Sequence, residues 1–122
     1  MKKKLVFELG YDKVFRWRDM EPVEVRKGFF RRTLIEGEKL TVVLSEIIPG
    51  SSGAPHIHPE EQVMFFLQGR CQDPDGTIYE PGTVTYVVSG KEHGGLLTIG
   101  DEPSIVLEMF APPRKRDPLV GT

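Results

Sequence analysis

Proline and glycine divide this chain into short pieces, and that spacing limits the folds it can form. The 122 residues include ten prolines and thirteen glycines, and the runs between them are rich in Val, Ile, Leu, Phe and Thr. No apolar pattern of helical period continues beyond about two turns. Short β-forming runs between turn residues are typical of an all-β barrel or sandwich. We therefore predict one all-β domain with little helix.

Seven strands are predicted from this pattern. The domain core is expected at residues 28–112, with an N-terminal arm at 1–27 and a short tail at 113–122. Glycine and proline predict tight turns at 36–38, 74–76, 80–83 and 100–103. The predicted strands lie near Gly28–Leu34, Lys39–Ile48, Gln62–Gly69, Thr77–Glu80, Thr83–Val88, Leu96–Ile99 and Ser104–Phe110.

Composition argues against several classes of protein. The net charge is −2, so the field of the whole chain does not favour nucleic acid or a membrane as a partner. Cys71 is the only cysteine, which excludes an internal disulfide and makes a reducing compartment the default. The apolar run Leu5–Phe7 is too short for a signal peptide, and no segment approaches a transmembrane span. We predict a cytoplasmic protein.

All three histidines lie in one spaced pattern. His56 and His58 are one residue apart between Gly50 and Gly69, and His93 ends a second segment. Residues at i and i+2 share one face of a strand, so two histidines can act together and a third can join from the next strand. Imidazole suits transition metals such as Zn, Cu, Fe and Ni. The spacing therefore indicates a metal site.

The last predicted strand carries a carboxylate among apolar residues. Alternation puts Glu108 and Phe110 on one face, and a buried carboxylate is costly unless it is paired or functional. Arg114 follows closely enough to reach the barrel mouth and bind a carboxylate. Two plainer interpretations stay open. Glu108 could pair with an arginine such as Arg31 or Arg32, and Arg114 could be a solvated charge of the tail.

The segment Val63–Leu67 is apolar on both faces, which is typical of a strand buried on both sides. One side would face the barrel interior and the other a second subunit, so we expect a homodimer. The alternative is that the N-terminal arm covers this face within one chain.

The two histidine segments resemble the two signature motifs of the cupin superfamily, with a match at every glycine and histidine. The resemblance implies a double-stranded β-helix, or jelly-roll barrel, and one metal ion held by four ligands. By this resemblance the metal ligands are His56, His58, Gln62 and His93. Three residues depart from the pattern: Gln62 replaces glutamate, Val88 replaces proline and Leu97 replaces asparagine.

A narrower resemblance runs from about Trp17 to about Asp117. The histidine segment with Gln62, together with Tyr86 and the tail Phe110–Asp117, is similar to the KdgF-type cupins of pectin degradation. That family opens 4,5-unsaturated monouronates to linear keto acids. The resemblance implies that Glu108 moves a proton, Phe110 packs against the sugar and Arg114 holds the carboxylate. Glu108 departs from the family's aspartate, and Ala111 from its serine.

Three hypotheses for function follow. The first is metal-dependent ring opening or isomerisation of a sugar acid, with Tyr86 or metal-bound water as the reserve proton carrier. The second is an Fe(II) cupin dioxygenase, which would consume oxygen. The third is a cupin that binds a metal or ligand without catalysis. The expected cofactor is one divalent transition metal, and Zn, Ni, Fe and Mn all fit. The expected partner is a small carboxylate-bearing substrate.

Overall fold

The structure is a computed structural model that describes residues 14–114. Nine β-strands make up nearly half of these residues. Within this part the only helix is one 3-10 turn at Trp17–Asp19. The prediction of an all-β chain with little helix is confirmed. The strands are β1 (Val23–Arg26), β2 (Phe29–Glu36), β3 (Thr41–Ile47), β4 (Glu61–Gln68), β5 (Arg70–Gln72), β6 (Ile78–Tyr79), β7 (Val84–Val87), β8 (Leu97–Ile99) and β9 (Ser104–Ala111).

The strands form two antiparallel sheets. The larger has the order β1-β2-β3-β9-β4-β7, and the smaller has the order β6-β5-β8. Buried Phe66 and Val106 of the large sheet pack with Cys71 of the small sheet, and Tyr79 and Leu96 border this cluster. The two sheets therefore enclose one interior, as the alternating pattern of β4 and β9 requires.

Strand β9 runs through the middle of the large sheet and separates two environments. Val106, Glu108 and Phe110 alternate with residues that pack on the outer face, and all three are buried. On the outer face, Ile105 joins a cluster with Leu34, Val42 and Leu44. The 3-10 segment covers that cluster with Phe15, Trp17 and Met20. The alternation predicted for Glu108 and Phe110 is present, and it points both side chains inward.

Two strands lie outside the predicted set. β1 belongs to the predicted arm, yet it pairs with β2 in antiparallel register and extends the large sheet. β5 follows β4 after Gly69, whose positive φ of 74° lets the chain cross to the small sheet. A Cβ at Gly69 would lie 2.5 Å from the Pro103 carbonyl oxygen, so this crossing excludes a side chain. Residues 1–13 of the predicted arm and residues 115–122 of the predicted tail lie outside the described residues.

The segment Val63–Leu67 is buried more on one face than on the other. Met64 and Phe66 are buried in the interior, Val63 and Phe65 are half-buried, and Leu67 is exposed. The arm segment packs against β2, β3 and β9, so it covers a neighbouring part of the outer face. The homodimer stays a prediction, which sedimentation at micromolar concentration would test. Within residues 14–114, no helix has the length and apolar character needed to cross a membrane.

The two faces of β4 predict very different costs of truncation. Phe66 is 2% exposed and Leu67 is 49% exposed. We expect Phe66→Ala to lower the free energy of unfolding by about 3–5 kcal/mol, since it empties a packed site. Leu67→Ala should cost under about 1 kcal/mol. Urea denaturation of both variants measures this, and equal losses would contradict the interior placement of Phe66.

Candidate metal centre

Two of the histidines come together through a short backbone bridge rather than through regular strands. His56 and His93 form an isolated antiparallel bridge, in which each N–H donates to the other's carbonyl at 2.7 and 2.9 Å. His58 precedes β4, and its carbonyl accepts from Gly90. The expectation that His56 and His58 lie on a regular strand is therefore wrong. Extended chain segments at the barrel end bring the three rings together instead.

Backbone carbonyls hold Nδ1 of every imidazole. Nδ1 lies 2.9 Å from the Ala54 oxygen in His56, 2.9 Å from the Glu60 oxygen in His58, and 3.2 Å from the Lys91 oxygen in His93. A carbonyl only accepts, so Nδ1 carries the proton in each ring. Nε2 of each neutral ring is then left as a lone pair, which is the state a metal ligand needs. The Glu60 carboxylate, 3.4 Å from Nδ1 of His58, strengthens this orientation.

Gly94 lies against one of these contacts. Its φ is +105°, and a Cβ there would lie 2.7 Å from the Ala54 oxygen and 3.1 Å from Nδ1 of His56. A side chain at this position would push apart the contact that holds the ring. The glycine therefore permits the close backbone approach that orients His56.

Gln62, the second residue of β4, joins the three rings. Its Oε1 lies 3.0 Å from Nε2 of His58 and 2.7 Å from Nε2 of His93. Its Nε2 donates to Glu108 at 2.6 Å, which fixes the orientation of the amide. Turning the amide over would place its oxygen against the Glu108 carboxylate. The oxygen thus faces two nitrogen lone pairs, and a bound cation would relieve this crowding of acceptors.

The donor set fits a divalent transition metal. One ligand atom from each histidine lies within 4.8 Å of the others, and the ring centroids are 4.4 to 5.2 Å apart. Burial lowers the pKa of His56 and His93 below the ordinary 6.5, against the raising effect of the backbone contacts at Ala54 and Lys91. The charges of His58 and Arg114 lower both pKa values further, whereas the Glu108 carboxylate raises that of His93. Both rings are therefore neutral at pH 7. The positive charge that these crowded acceptors require is then better supplied by a metal ion than by a proton. His56, His58, His93 and Gln62 would hold it.

Glu108 connects this centre to the barrel interior. It is 8% exposed, and its carboxylate accepts from the Ser45 hydroxyl at 2.5 Å and from the Gln62 amide. Neither arginine considered as its partner has that role: Arg32 pairs with Glu46 at 3.2 Å, and no ion pair joins Arg31 to Glu108. Glu108 also borders a cavity of about 870 Å³ together with His56, His93 and Gln62.

Phe110 and Arg114 lie beside His58. Phe110 is buried, with its ring 5.4 Å from His58, and the Arg114 guanidinium lies 4.7 Å above the same ring. The backbone N–H of Arg114 donates to the Thr41 hydroxyl at 2.9 Å, and this contact holds the chain over the sheet. The Arg114 charge is near enough to lower the pKa of His56 and His93. Arg114 is thus half-buried beside the centre and is not a solvated tail charge.

Tyr86 is placed differently from the other predicted residues. It pairs with outward-facing Val63 in the β4–β7 ladder, and its neighbours Thr85 and Val87 are the less exposed residues of β7. Tyr86 borders the cavity, but its side chain is 59% exposed and its hydroxyl donates to Glu61 at 2.6 Å. This placement gives no support to Tyr86 as a proton carrier at the histidines.

Sequence reasoning missed two residues that border the same cavity. The sequence indicated Arg31 only as a structural partner of Glu108, and it did not single out Thr85. Both bring polar atoms into the interior of the sheet. The one signal that could have found them is the alternation of β2 and β7, which puts Arg31 in phase with Phe29.

Solved structures identify the architecture. KdgF from Halomonas sp. superposes with a TM-score of 0.76 at 20% identity, covering 86% of this chain and 97% of that one. The polyketide cyclase RemF from Streptomyces resistomycificus gives 0.76 at 23% identity, covering 87% and 83%.

The protein has the cupin fold. A predicted oxalate decarboxylase from Thermotoga maritima, with a TM-score of 0.69 at 19% identity over 82% and 99% of the two chains, has a similar structure. No protein-family model matches the chain, and no curated protein is significantly similar to it in sequence. The jelly-roll expectation is confirmed. At these identities the likeness establishes the fold alone, and the chemistry of the site has to be argued from its own residues.

The centre predicts how metal content changes with mutation and pH. We expect about one equivalent of transition metal per chain in wild type, and loss of the metal in His93→Ala. Because the folded protein keeps His56 and His93 neutral down to a pH below 6.5, metal should be held at pH 7. Release should follow as the pH falls below 6.5 and protons compete for the rings.

Elemental analysis after dialysis at a series of pH values measures this. Glu92→Ala, next in sequence to His93, is the matched control and should keep its metal. Wild type that holds no metal after reconstitution would contradict the assignment.

Proposed function

We propose that this cupin is a metal-dependent enzyme that opens or isomerises the ring of an unsaturated uronate or a related sugar acid. The observation that carries the proposal is the hydrogen bond between Gln62 and Glu108. It joins a residue of the metal centre to a buried carboxylate that borders the cavity. The similarity in fold to KdgF from Halomonas sp. supports the same conclusion.

The residues would divide the work as follows. A divalent metal at this centre would supply a Lewis acid that polarises a substrate oxygen. Arg114 would bind the substrate carboxylate, since a guanidinium presents paired donors. Glu108 would take the proton of the enol hydroxyl at a carboxylate oxygen and return it to carbon as the ketone forms. The sequence prediction that Phe110 packs against the sugar is not supported, because Phe110 is 1% exposed and does not border the cavity. Its ring would instead support His58 and the Arg114 guanidinium.

The charge of the centre favours an anionic substrate. Three neutral imidazoles and one amide oxygen would leave a bound divalent metal with its full charge, whereas a glutamate ligand would halve it. Glu108 is held one hydrogen bond away, behind the Gln62 amide, rather than among the ligating atoms. This separation leaves the carboxylate available for proton transfer.

Glu108→Gln tests the proton-transfer role. The substitution keeps the shape and removes the basic oxygen, so kcat should fall by about 100-fold or more while KM changes little. The assay follows the loss of ultraviolet absorbance as a 4,5-unsaturated galacturonate is consumed, with metal content measured in parallel. Ser45→Ala, which removes one donor to Glu108, should cost much less. Unchanged kcat in Glu108→Gln would sink the assignment.

Arg114→Ala tests the carboxylate contact. Loss of a hydrogen bond to a charged group costs about 1.5–3 kcal/mol, so KM should rise by roughly 10- to 150-fold. Arg114→Lys should restore only part of this, because the paired donors are lost. Running the assay with and without oxygen separates the proposal from a dioxygenase. Oxygen-dependent turnover, or unchanged KM in Arg114→Ala, would count against uronate opening.

A further inference from the structure

A buried arginine of the large sheet borders the cavity. Arg31 is 6% exposed and pairs in register with Ser45, whose hydroxyl donates to Glu108. The next residue, Arg32, faces the other way, where it pairs with Glu46 and lies over Trp17. Two adjacent arginines thus have opposite environments, and only Arg31 borders the cavity.

The charge of Arg31 has no counterion within residues 14–114. No carboxylate of this part lies within ion-pair distance of the guanidinium, and its buried Nε has no hydrogen-bond partner. The Phe29 ring lies 5.3 Å from the guanidinium carbon, which offsets only part of the cost. A buried charge without a partner is expensive. A ligand anion would supply the missing partner.

A second unsatisfied polar group borders the same cavity. The Thr85 hydroxyl oxygen is buried and has no hydrogen-bond partner among the described residues. Thr85 lies on β7 and Arg31 on β2, which are near opposite edges of the large sheet. β9, which carries Glu108, lies between these two strands. Unsatisfied polar groups on two walls of one cavity indicate that a polar ligand belongs there.

Register places Arg31 away from the histidines. Phe110 pairs with Gln62, whereas Val106, four residues earlier on β9, pairs with Ser45 in the row of Arg31. Four residues of a strand span about 13 Å, and Glu108 is halfway between the two rows. Arg31 borders the cavity, and Arg114 lies over Phe110 beside the histidines, so the two arginines are on opposite sides of Glu108.

We infer that Arg31 forms a second anion subsite, which binds a carboxylate, so that the cavity suits small sugar acids with an anionic group at each end. The inference rests on the proposed function only in naming sugar acids as the class of ligand. Arg114 would hold one carboxylate beside the metal centre, and Arg31 would hold the other beyond Glu108. The guanidinium and the Thr85 hydroxyl would together supply donors for it.

Binding measurements on metal-free protein test the subsite without any turnover. Galactarate carries two carboxylates and galacturonate carries one. Isothermal titration should show that wild type binds galactarate about tenfold or more tightly than galacturonate. In Arg31→Met, which keeps the length of the side chain, the ratio of the two affinities should fall to about one. Arg31→Lys should give an intermediate ratio.

Arg32→Met is the matched control and should keep the wild-type ratio, because Arg32 faces away from the cavity. Arg31→Met should unfold at a temperature equal to or above that of wild type, since an unpaired buried charge is removed. Arg31→Gln serves as a second variant and must lose the ratio as well. An unchanged ratio in Arg31→Met, or no preference for galactarate in wild type, would overturn the inference. Failure of uronate turnover with the ratio as expected would instead overturn only the proposed function.

Discussion

The candidate metal centre depends on the orientation of one side-chain amide, that of Gln62. Gln62 turns its oxygen toward His58 and His93 because its nitrogen donates to Glu108. That single hydrogen bond makes the end of the barrel a centre of lone pairs and holds a carboxylate behind it. Without it, the amide could turn its nitrogen toward the rings and satisfy them with no cation. Two roles therefore account for the burial of the Glu108 carboxylate. It orients the Gln62 amide, and it is the proposed proton carrier.

The fold supplies this arrangement through strand alternation and sheet order. β9 lies between β3 and β4, so Glu108 can accept from Ser45 on one neighbour and from Gln62 on the other. Pleating then directs Ile105, Leu107 and Met109 of β9 to the outer face, where the segment around the 3-10 turn covers them. The interior holds Val106 and Phe110 together with polar groups, whose burial is costly unless they bind each other, a metal or a ligand. Arg31 and Thr85 each have a buried polar atom that finds no hydrogen-bond partner among residues 14–114.

Much of the fold could be predicted because its signals are local. Turn residues and short apolar runs located seven of the strands. β5 has three residues directly after β4, so no periodicity marks it, and only the positive φ of Gly69 separates the two strands. β1 lies in a charged segment, and its pairing with β2 depends on tertiary contacts. Alternation correctly placed Glu108 and Phe110 on one face, because β9 is regular along its length.

The site was predictable only in part. The spacing of His56, His58 and His93 indicated a shared centre, but the backbone bridge that joins His56 to His93 links residues far apart in sequence. Arg31 and Arg32 are adjacent charges in a strand with no clearly apolar face, so the sequence could not tell which one is buried. Tyr86 was chosen through resemblance, and its pairing with Val63 put it on the exposed face. Such differences arise from register, which short strands do not encode.

The most direct measurement of the central claim is the anomalous diffraction of crystals grown with bound metal. The account predicts one ion about 2.0–2.2 Å from Nε2 of each of the three histidines and from Oε1 of Gln62, if that ion is zinc. The Glu108 carboxylate should remain outside the ligating atoms and hydrogen-bonded to the Gln62 amide. An ion bound by Glu108, or a Gln62 amide turned with its nitrogen toward the histidines, would contradict the account.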